Sequence, residues 1–282
     1  MKSRITLFAI TALLPFALLI IGFELLPLLA MVRDSFLADD GITFTFMQYK
    51  LALTNPYYTR GMSNSLIISV YSSLIGMVIA LCASYSITRM PKKIQSGLIT
   101  FSNLTSNFSG VPLAFAFIIL LGNSGLFTLL FKDWGWDLAK SFELYSWSGL
   151  VAVYVYFQVP LAILLLYPAY SGIHKNWRES SALLGASSLQ FWLRIGLPVI
   201  TPSIVGTFSI LLANAMGAYA TAYALVGGSY NLLPIRIGSL VAGDVATRPQ
   251  LGSALAVILG LMMIAAMWLN ERMMRRFRRD LQ

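Results

Sequence analysis

Long, almost uninterrupted apolar runs alternate with short polar segments along this chain. Six runs can be read, at about residues 5–32, 63–88, 104–122, 149–172, 199–226 and 250–270. Each approaches or exceeds the roughly 20 residues a helix needs to cross a bilayer. None shows the two-residue alternation that a membrane-spanning strand carries over about ten residues. A bilayer core offers no water to backbone N–H and C=O groups, so the runs predict helices, which bond their own backbone. The expected architecture is an all-α polytopic membrane protein, one domain over residues 1–282 with six transmembrane helices.

Composition agrees with that pattern. The chain is 57% hydrophobic and only 11% charged, with mean hydropathy +0.74, whereas a soluble domain is about 25% charged. Lys2 and Arg4 stand before the first run as they would before a signal peptide. The run exceeds the 7–15 residues of a signal's apolar region and ends without a small-residue cleavage site, so an uncleaved first helix is expected. The single cysteine, Cys82, has no internal disulfide partner and is expected to be a small buried hydrophobe.

Charge orients the helices. With the N-terminus in the cytoplasm, the inner side holds Lys2 and Arg4; Arg89, Lys92 and Lys93; Lys175, Arg178 and Arg194; and Arg272, Arg275, Arg276, Arg278 and Arg279, which is 13 of the 20 basic residues. The outer segments carry the other seven together with Asp34, Asp39, Asp40, Asp133, Asp137, Glu143 and Asp244, and are neutral overall. This is the Lys/Arg bias of a multi-pass protein with both termini inside. The basic residues fall in four separate inner segments, which argues against nucleic acid as a partner. The basic C-terminal tail reads as a flank attracted to the inner leaflet, and Trp134, Trp136 and Trp147 as an interfacial aromatic belt.

The segment 173–198 interrupts the apolar pattern most strongly. Gly172 is a plausible stop for the preceding helix. Asn176 can cap a short helix starting at Trp177, with Glu179 three residues later placed to bond back to the cap. Gly185 interrupts that helix. A second short helix can follow over 186–194, opened by Ala186 and Ser187 and carrying Phe191 and Trp192. Pro198 and Pro202 suit the first turns of the fifth spanning helix. Small residues beside an aromatic anchor suit a helix that enters a groove on a soluble partner.

In its letters, Glu179-Ser-Ser-Ala-Leu-Leu-Gly185, nine residues, then Ile195-Gly-Leu197-Pro198, this segment resembles the EAA loop of permease subunits in ATP-binding-cassette (ABC) importers. The family pattern is Glu-Ala-Ala, three residues, Gly, nine residues, Ile-x-Leu-Pro. Ser180 and Ser181 replace the two alanines. Weaker similarity lies in Asn64-Ser65, Pro112, Gly122, Gly125, Pro160, and Gly227-Gly228 followed by Leu233-Pro234, and points to the polyamine, ferric-iron, sulfate and phosphonate group. The resemblance implies a type I ABC importer permease fold with cytoplasmic coupling helices in a bacterial inner membrane. It implies a lipid-embedded chain paired with a second, non-identical permease subunit, an ATP-binding subunit dimer that holds ATP and Mg, and an extracytoplasmic solute-binding protein. It makes Glu179, Ser180, Ser181, Gly185, Ala186, Ser187, Phe191, Ile195, Leu197 and Pro198 the ATPase-coupling residues. A polyamine is the first substrate expectation, with phosphonate and ferric iron behind it.

The chain contains no Gly-Lys dipeptide, hence no phosphate-binding P-loop, and His174 is its only histidine. No cofactor is expected in this chain, and no enzymatic role. An ion-coupled secondary transporter is the main alternative, a membrane-embedded enzyme the lesser one. Ion coupling usually leaves ionisable groups in the helices, and Glu24 is the one clear case. Glu24 is a candidate for the translocation pathway, as are Asn214, Tyr219, Thr221 and Tyr223 in a fifth helix rich in small residues. Ordinary helix–helix packing accounts for these positions equally well.

Overall fold

The computed structural model describes residues 13–136, 142–243 and 247–279, without side-chain detail from 273 onwards. Lys2, Arg4, Asp137 and Asp244 lie outside the described residues. Helices dominate: α1 (Leu13–Asp34), α2 (Met47–Thr54), α3 (Pro56–Ile87), α4 (Lys92–Ser106), α5 (Val111–Leu121), α6 (Leu126–Asp133), α7 (Trp147–Ser171), α8 (Lys175–Leu183), α9 (Ser188–Phe191), α10 (Leu197–Met216), α11 (Tyr219–Val226), α12 (Leu233–Ala242) and α13 (Pro249–Arg279). Among the described residues, six stretches are long and apolar enough to cross a bilayer: Leu13–Asp34, Pro56–Ile87, Val111–Asp133, Trp147–Ser171, Ser188–Met216 and Pro249–Arg272. The chain divides into two units, Met1–Gly61 with Arg236–Leu261, and Met62–Ile235 with Met262–Gln282.

In the larger unit α7 packs against α4 and α10, and α5 against α11. One apolar cluster joins Ile68, Leu113, Leu150, Tyr154, Phe157, Leu225 and Ile235. Another joins Met77, Ala80, Ala162, Leu166 and Leu211. Asn270 of α13 donates to the Val205 carbonyl (2.7 Å) and to Ser209 Oγ (2.5 Å) on α10, the kind of polar tie that joins helices in lipid. Gln158 is fully buried and donates to Ser72 Oγ at 3.2 Å.

Two expected helices are broken. The third span starts at Val111, not at 104, because Gly110 turns the chain with φ +74° and Pro112 opens the new helix. Residues 104–106 instead complete the amphipathic helix α4. The fifth span ends at Met216: Gly217 and Ala218 leave the helix, and α11 resumes at Tyr219. A break frees backbone groups that cannot stay unpaired in lipid. Tyr154 Oη donates to the Ala218 carbonyl (3.1 Å), and Thr221 Oγ1 accepts the Gly110 N–H (2.9 Å). The Gly227-Gly228 segment leads into the short apolar helix α12, and it is held to α3: Asn64 donates to the Asn231 carbonyl (3.0 Å) and Ser65 Oγ accepts the Leu233 N–H (2.8 Å). Cys82 is exposed rather than buried, because α3 packs its serine-rich face inward, with Ser69, Ser72, Ser73 and Ser84 buried.

The smaller unit contains the 35–46 loop, closed by an antiparallel bridge between Leu37 and Phe44. Phe36, Phe44, Phe46 and Tyr49 pack ring on ring, with centroids 5.1–5.6 Å apart. Asp40 Oδ1 accepts the Ile42 and Thr43 N–H groups (2.9 Å each), and Gly41 takes φ +72° between them. Asp39 accepts from Arg248 (2.5 Å) and from Gln48 Nε2 (2.9 Å). These bonds, Arg248's foremost, hold the Asp39 carboxyl below its ordinary 3.8, and Thr43's hydroxyl with the two N–H donors does the same for Asp40. A depressed carboxylate stabilises the fold above its unfolded pKa, and that stabilisation is lost as pH falls through the folded value. Amide protection at Ile42 and Thr43, corrected for intrinsic exchange, should therefore hold above about pH 4 and drop below it. Asp39→Asn should loosen the loop at neutral pH by under about 1 kcal/mol, since the pair is half exposed. Protection that rises on acidification would contradict this account.

Candidate functional site

The predicted coupling segment is a helix–turn–helix hung between α7 and α10. Helix α7 ends at Ser171 with Gly172 as its cap, and α8 begins at Lys175 with His174 at the N-cap, two residues earlier than the Asn176 expectation. No side chain caps α8. Glu179 instead faces Lys175 one turn back (3.5 Å), an exposed pair that contributes about 0.3–0.5 kcal/mol.

Gly185 ends α8 with φ +81°. Its N–H bonds the Ala182 carbonyl (3.0 Å), and the Ala186 N–H bonds the Ser181 carbonyl (3.0 Å). That pair of bonds is a Schellman closure, which needs a left-handed residue where only glycine is free of strain. Ser187 then caps α9: its hydroxyl accepts the Gln190 N–H (3.2 Å), and Gln190 Oε1 accepts the Ser187 N–H (2.8 Å). The reciprocal capping box starts the second helix two residues later than the composition suggests. The turn is therefore fixed from both sides.

From α9 the chain enters a π-helical turn, Trp192–Gly196, and flows straight into α10. The Leu197 N–H reaches back to the Trp192 carbonyl, and Pro198, next in line, has no N–H to give. The wider turn places the Trp192 indole against Tyr85 of α3 (centroids 5.2 Å apart, edge-on) and Tyr170 of α7 (6.1 Å). A Cβ on Gly196 would lie 2.5 Å from Trp192 Cε3 and 2.8 Å from Cζ3. Gly196 is thus the seat of the indole, at the unassigned position of the Ile-x-Leu-Pro pattern.

The predicted coupling residues divide by exposure. Glu179, Ser180, Gly185, Ser187 and Leu197 are exposed, while Ala186, Ile195 and Pro198 are partly covered. Ser181 is buried and donates to the Arg178 carbonyl (2.8 Å). Phe191 is 2% exposed and faces its own chain, so it is not presented to a partner. The most exposed large apolar side chains of the segment are Leu183 and Leu184, 89% and 88% exposed, and Leu189. The 3.6-residue periodicity of so short a helix could not tell these leucines from core residues. Trp192 and Gly196 were also missed; the indole's partners lie about 20 and 110 positions away in sequence, and no local pattern reveals such a contact.

Among the pathway candidates, Tyr219 and Tyr223 stack face to face (5.4 Å, 19°) on an exposed side of α11, and Asn214 is exposed near the end of α10. Thr221 points the other way, buried on the Gly110 N–H. Glu24 belongs to the smaller unit, where it is exposed in a π-helical turn, Ile21–Leu25, of α1.

A family model described as "Binding-protein-dependent transport system inner membrane component" matches residues 72–279. The chain belongs to this family. It is 27% identical over 269 residues to the putative ferric transport system permease protein FbpB 1 of Haemophilus influenzae, covering 94% of this chain and 42% of that protein. It is 26% identical over 259 residues to the spermidine/putrescine transport system permease protein PotB of the same organism, covering 90% and 89%. The chain thus spans less than half the length of the ferric relatives it matches and most of the polyamine one. Among solved structures, a bacterial alginate ABC transporter in complex with its pentasaccharide-bound periplasmic protein superposes with TM-score 0.76 at 19% identity, covering 98% of this chain and 96% of that one. The fold is that of a type I ABC importer permease.

Gly196→Ala tests the joint directly. In an unhindered helix, alanine for glycine stabilises by about 1 kcal/mol, and Gly206→Ala, with open space at its Cβ, should behave so. Gly196→Ala should instead lower the melting temperature of the detergent-solubilised protein, because the added methyl must displace Trp192. Equal stabilisation by both substitutions would contradict the packing described.

Proposed function

We propose that this chain is the inner-membrane permease subunit of a binding-protein-dependent ABC importer. It lies in a bacterial plasma membrane as one transmembrane domain with both termini cytoplasmic, and forms half of the solute pathway with a second, non-identical permease subunit. An extracytoplasmic binding protein delivers solute. A separate ATP-binding subunit dimer supplies ATP and Mg and docks on the α8–α9 turn. The observation that carries the reading is that turn: a segment bearing Glu179, Gly185, Ile195, Leu197 and Pro198 at the family spacing closes on a left-handed glycine and exposes Leu183 and Leu184 beside it.

The exposure of these side chains supports a division of roles. Leu183, Leu184 and Leu189 enter a groove on the ATPase, as an amphipathic helix does; Ala186 and Ser187 lie against the groove rim. Glu179, Ser180 and Gly185 shape α8 and its stop. Ser181 and Phe191 hold the turn from behind, and Ile195, Leu197 and Pro198 carry the movement into α10. Asn214, Tyr219 and Tyr223 line the pathway, with Thr221 anchoring α11.

A polyamine is the substrate this arrangement favours. Exposed tyrosine faces attract ammonium groups by cation–π interaction, and the PotB relatives match over 89–94% of their length. Ferric iron is the second reading, favoured by the 27–28% identity to FbpB proteins. Uptake of labelled spermidine and of ferric iron by vesicles holding the whole transporter and its cognate binding protein separates the two: spermidine uptake without ferric uptake is expected, and the reverse result would replace the polyamine.

Gly185→Val places a β-branched residue at positive φ, a strained conformation that costs about 1–2 kcal/mol. Uptake should fall at least about tenfold while the protein remains in the membrane. Leu183→Ser with Leu184→Ser should abolish co-purification of the ATPase. A cysteine at position 187, in a Cys82→Ser background, should react with an impermeant thiol reagent from the cytoplasmic side alone. Full uptake by the Gly185 variant together with retained ATPase would overturn the proposal.

A further inference from the structure

A cavity of about 420 Å³ opens between the ends of α3 and α7 and the start of α8. This is a ligand-sized volume. Arg89, His174, Lys175 and Arg178 contribute to its wall, and among its described lining residues there is no carboxylate. The Arg89 guanidinium lies 4.3 Å from the centre of the Tyr85 ring, and Gln95, held by Tyr167 Oη (3.0 Å) and bonded to the Thr88 carbonyl (3.1 Å), fixes the opposite wall. A second, more open groove of about 330 Å³ shares the walls Tyr85, Tyr170 and Trp192, and continues along α3 past Cys82 to Leu81. Its lining is largely apolar. Cationic and apolar halves meet at three aromatic rings of the kind found at membrane–water boundaries.

We propose that this paired cavity and groove is a binding site for one anionic phospholipid. The phosphate lies among Arg89, Lys175 and Arg178, and an acyl chain follows Cys82 and Leu81 along α3. Charge complementarity and the continuity of the two halves select this occupant. A soluble phosphate would leave the apolar groove empty, and a zwitterionic lipid would bring a cationic headgroup up against Arg89 and Arg178. Such a lipid touches α3, α7 and Trp192 at once, so it braces the joint between the coupling segment and the spanning helices. The site lies apart from the proposed solute pathway; it shares α8 with the ATPase docking turn but uses none of Leu183, Leu184 and Leu189.

The test uses the full transporter in nanodiscs of phosphatidylcholine doped with a photoactivatable phosphatidylglycerol. Label should appear in the peptides that contain Cys82 and Trp192. It should fall on the order of tenfold or more in Arg89→Gln with Arg178→Gln, as loss of two cations beside the leaflet implies, and stay unchanged in Arg272→Gln on α13. Cys82→Trp, which fills the groove and keeps the cations, should also reduce it. Membrane level and retained partner subunits report folding of each variant. Excess glycerol phosphate should not displace the label. Equal labelling by a phosphatidylcholine probe, displacement by glycerol phosphate, unchanged labelling in the double variant, or protection of both peptides by the ATPase would each overturn the site.

Discussion

The indole of Trp192 sits where two kinds of structure meet. On one side is a short polar helix–turn–helix, whose own hydrogen bonds shape it; on the other are spanning helices buried in lipid. An edge-on contact with Tyr85 and a tilted one with Tyr170, about 0.5–1.5 kcal/mol each, tie the turn to α3 and α7 at once. Gly196 provides the space, and the π-helical turn provides the angle. Without this contact, the turn would lose its tie to α3 and α7, and a push on it would be partly absorbed before it reached those helices.

The same economy governs the membrane region. Spans broken by glycine expose backbone groups that lipid cannot satisfy. Each break described here meets a side chain from a distant helix: Tyr154 at Ala218, Thr221 at Gly110, Ser65 at Leu233. Broken helices linked in this way are separate bodies with defined joints, and a pathway that must open and close needs such joints. The proposed lipid would add a further contact at the Trp192 joint.

Much of this was legible in the amino-acid pattern. The six spans follow from apolar length, and the turn between α8 and α9 from Gly185. The Asn64-Ser65 and Gly227-to-Pro234 segments, read separately, prove to be bonded partners. What was not legible depends on partners far away in sequence. Hydropathy could not show that residues 199–226 break at Gly217, because the bond that permits the break comes from Tyr154. Phe191 read as an anchor for a partner, yet it is buried on its own chain; the exposed leucines beside Gly185 are the outward apolar groups. Cys82 read as buried because apolar stretches hide which face turns to lipid. Asn176 read as a cap, but α8 starts at Lys175 and Glu179 pairs with that lysine instead.

The account rests on force passing through the α8–α9 turn. A photoreactive residue at position 184, in the assembled transporter within its native membrane, reports what the turn touches. The account predicts a covalent adduct with the ATP-hydrolysing subunit whose yield changes when nucleotide is added. An adduct only with lipid or with the solute-binding protein would contradict it.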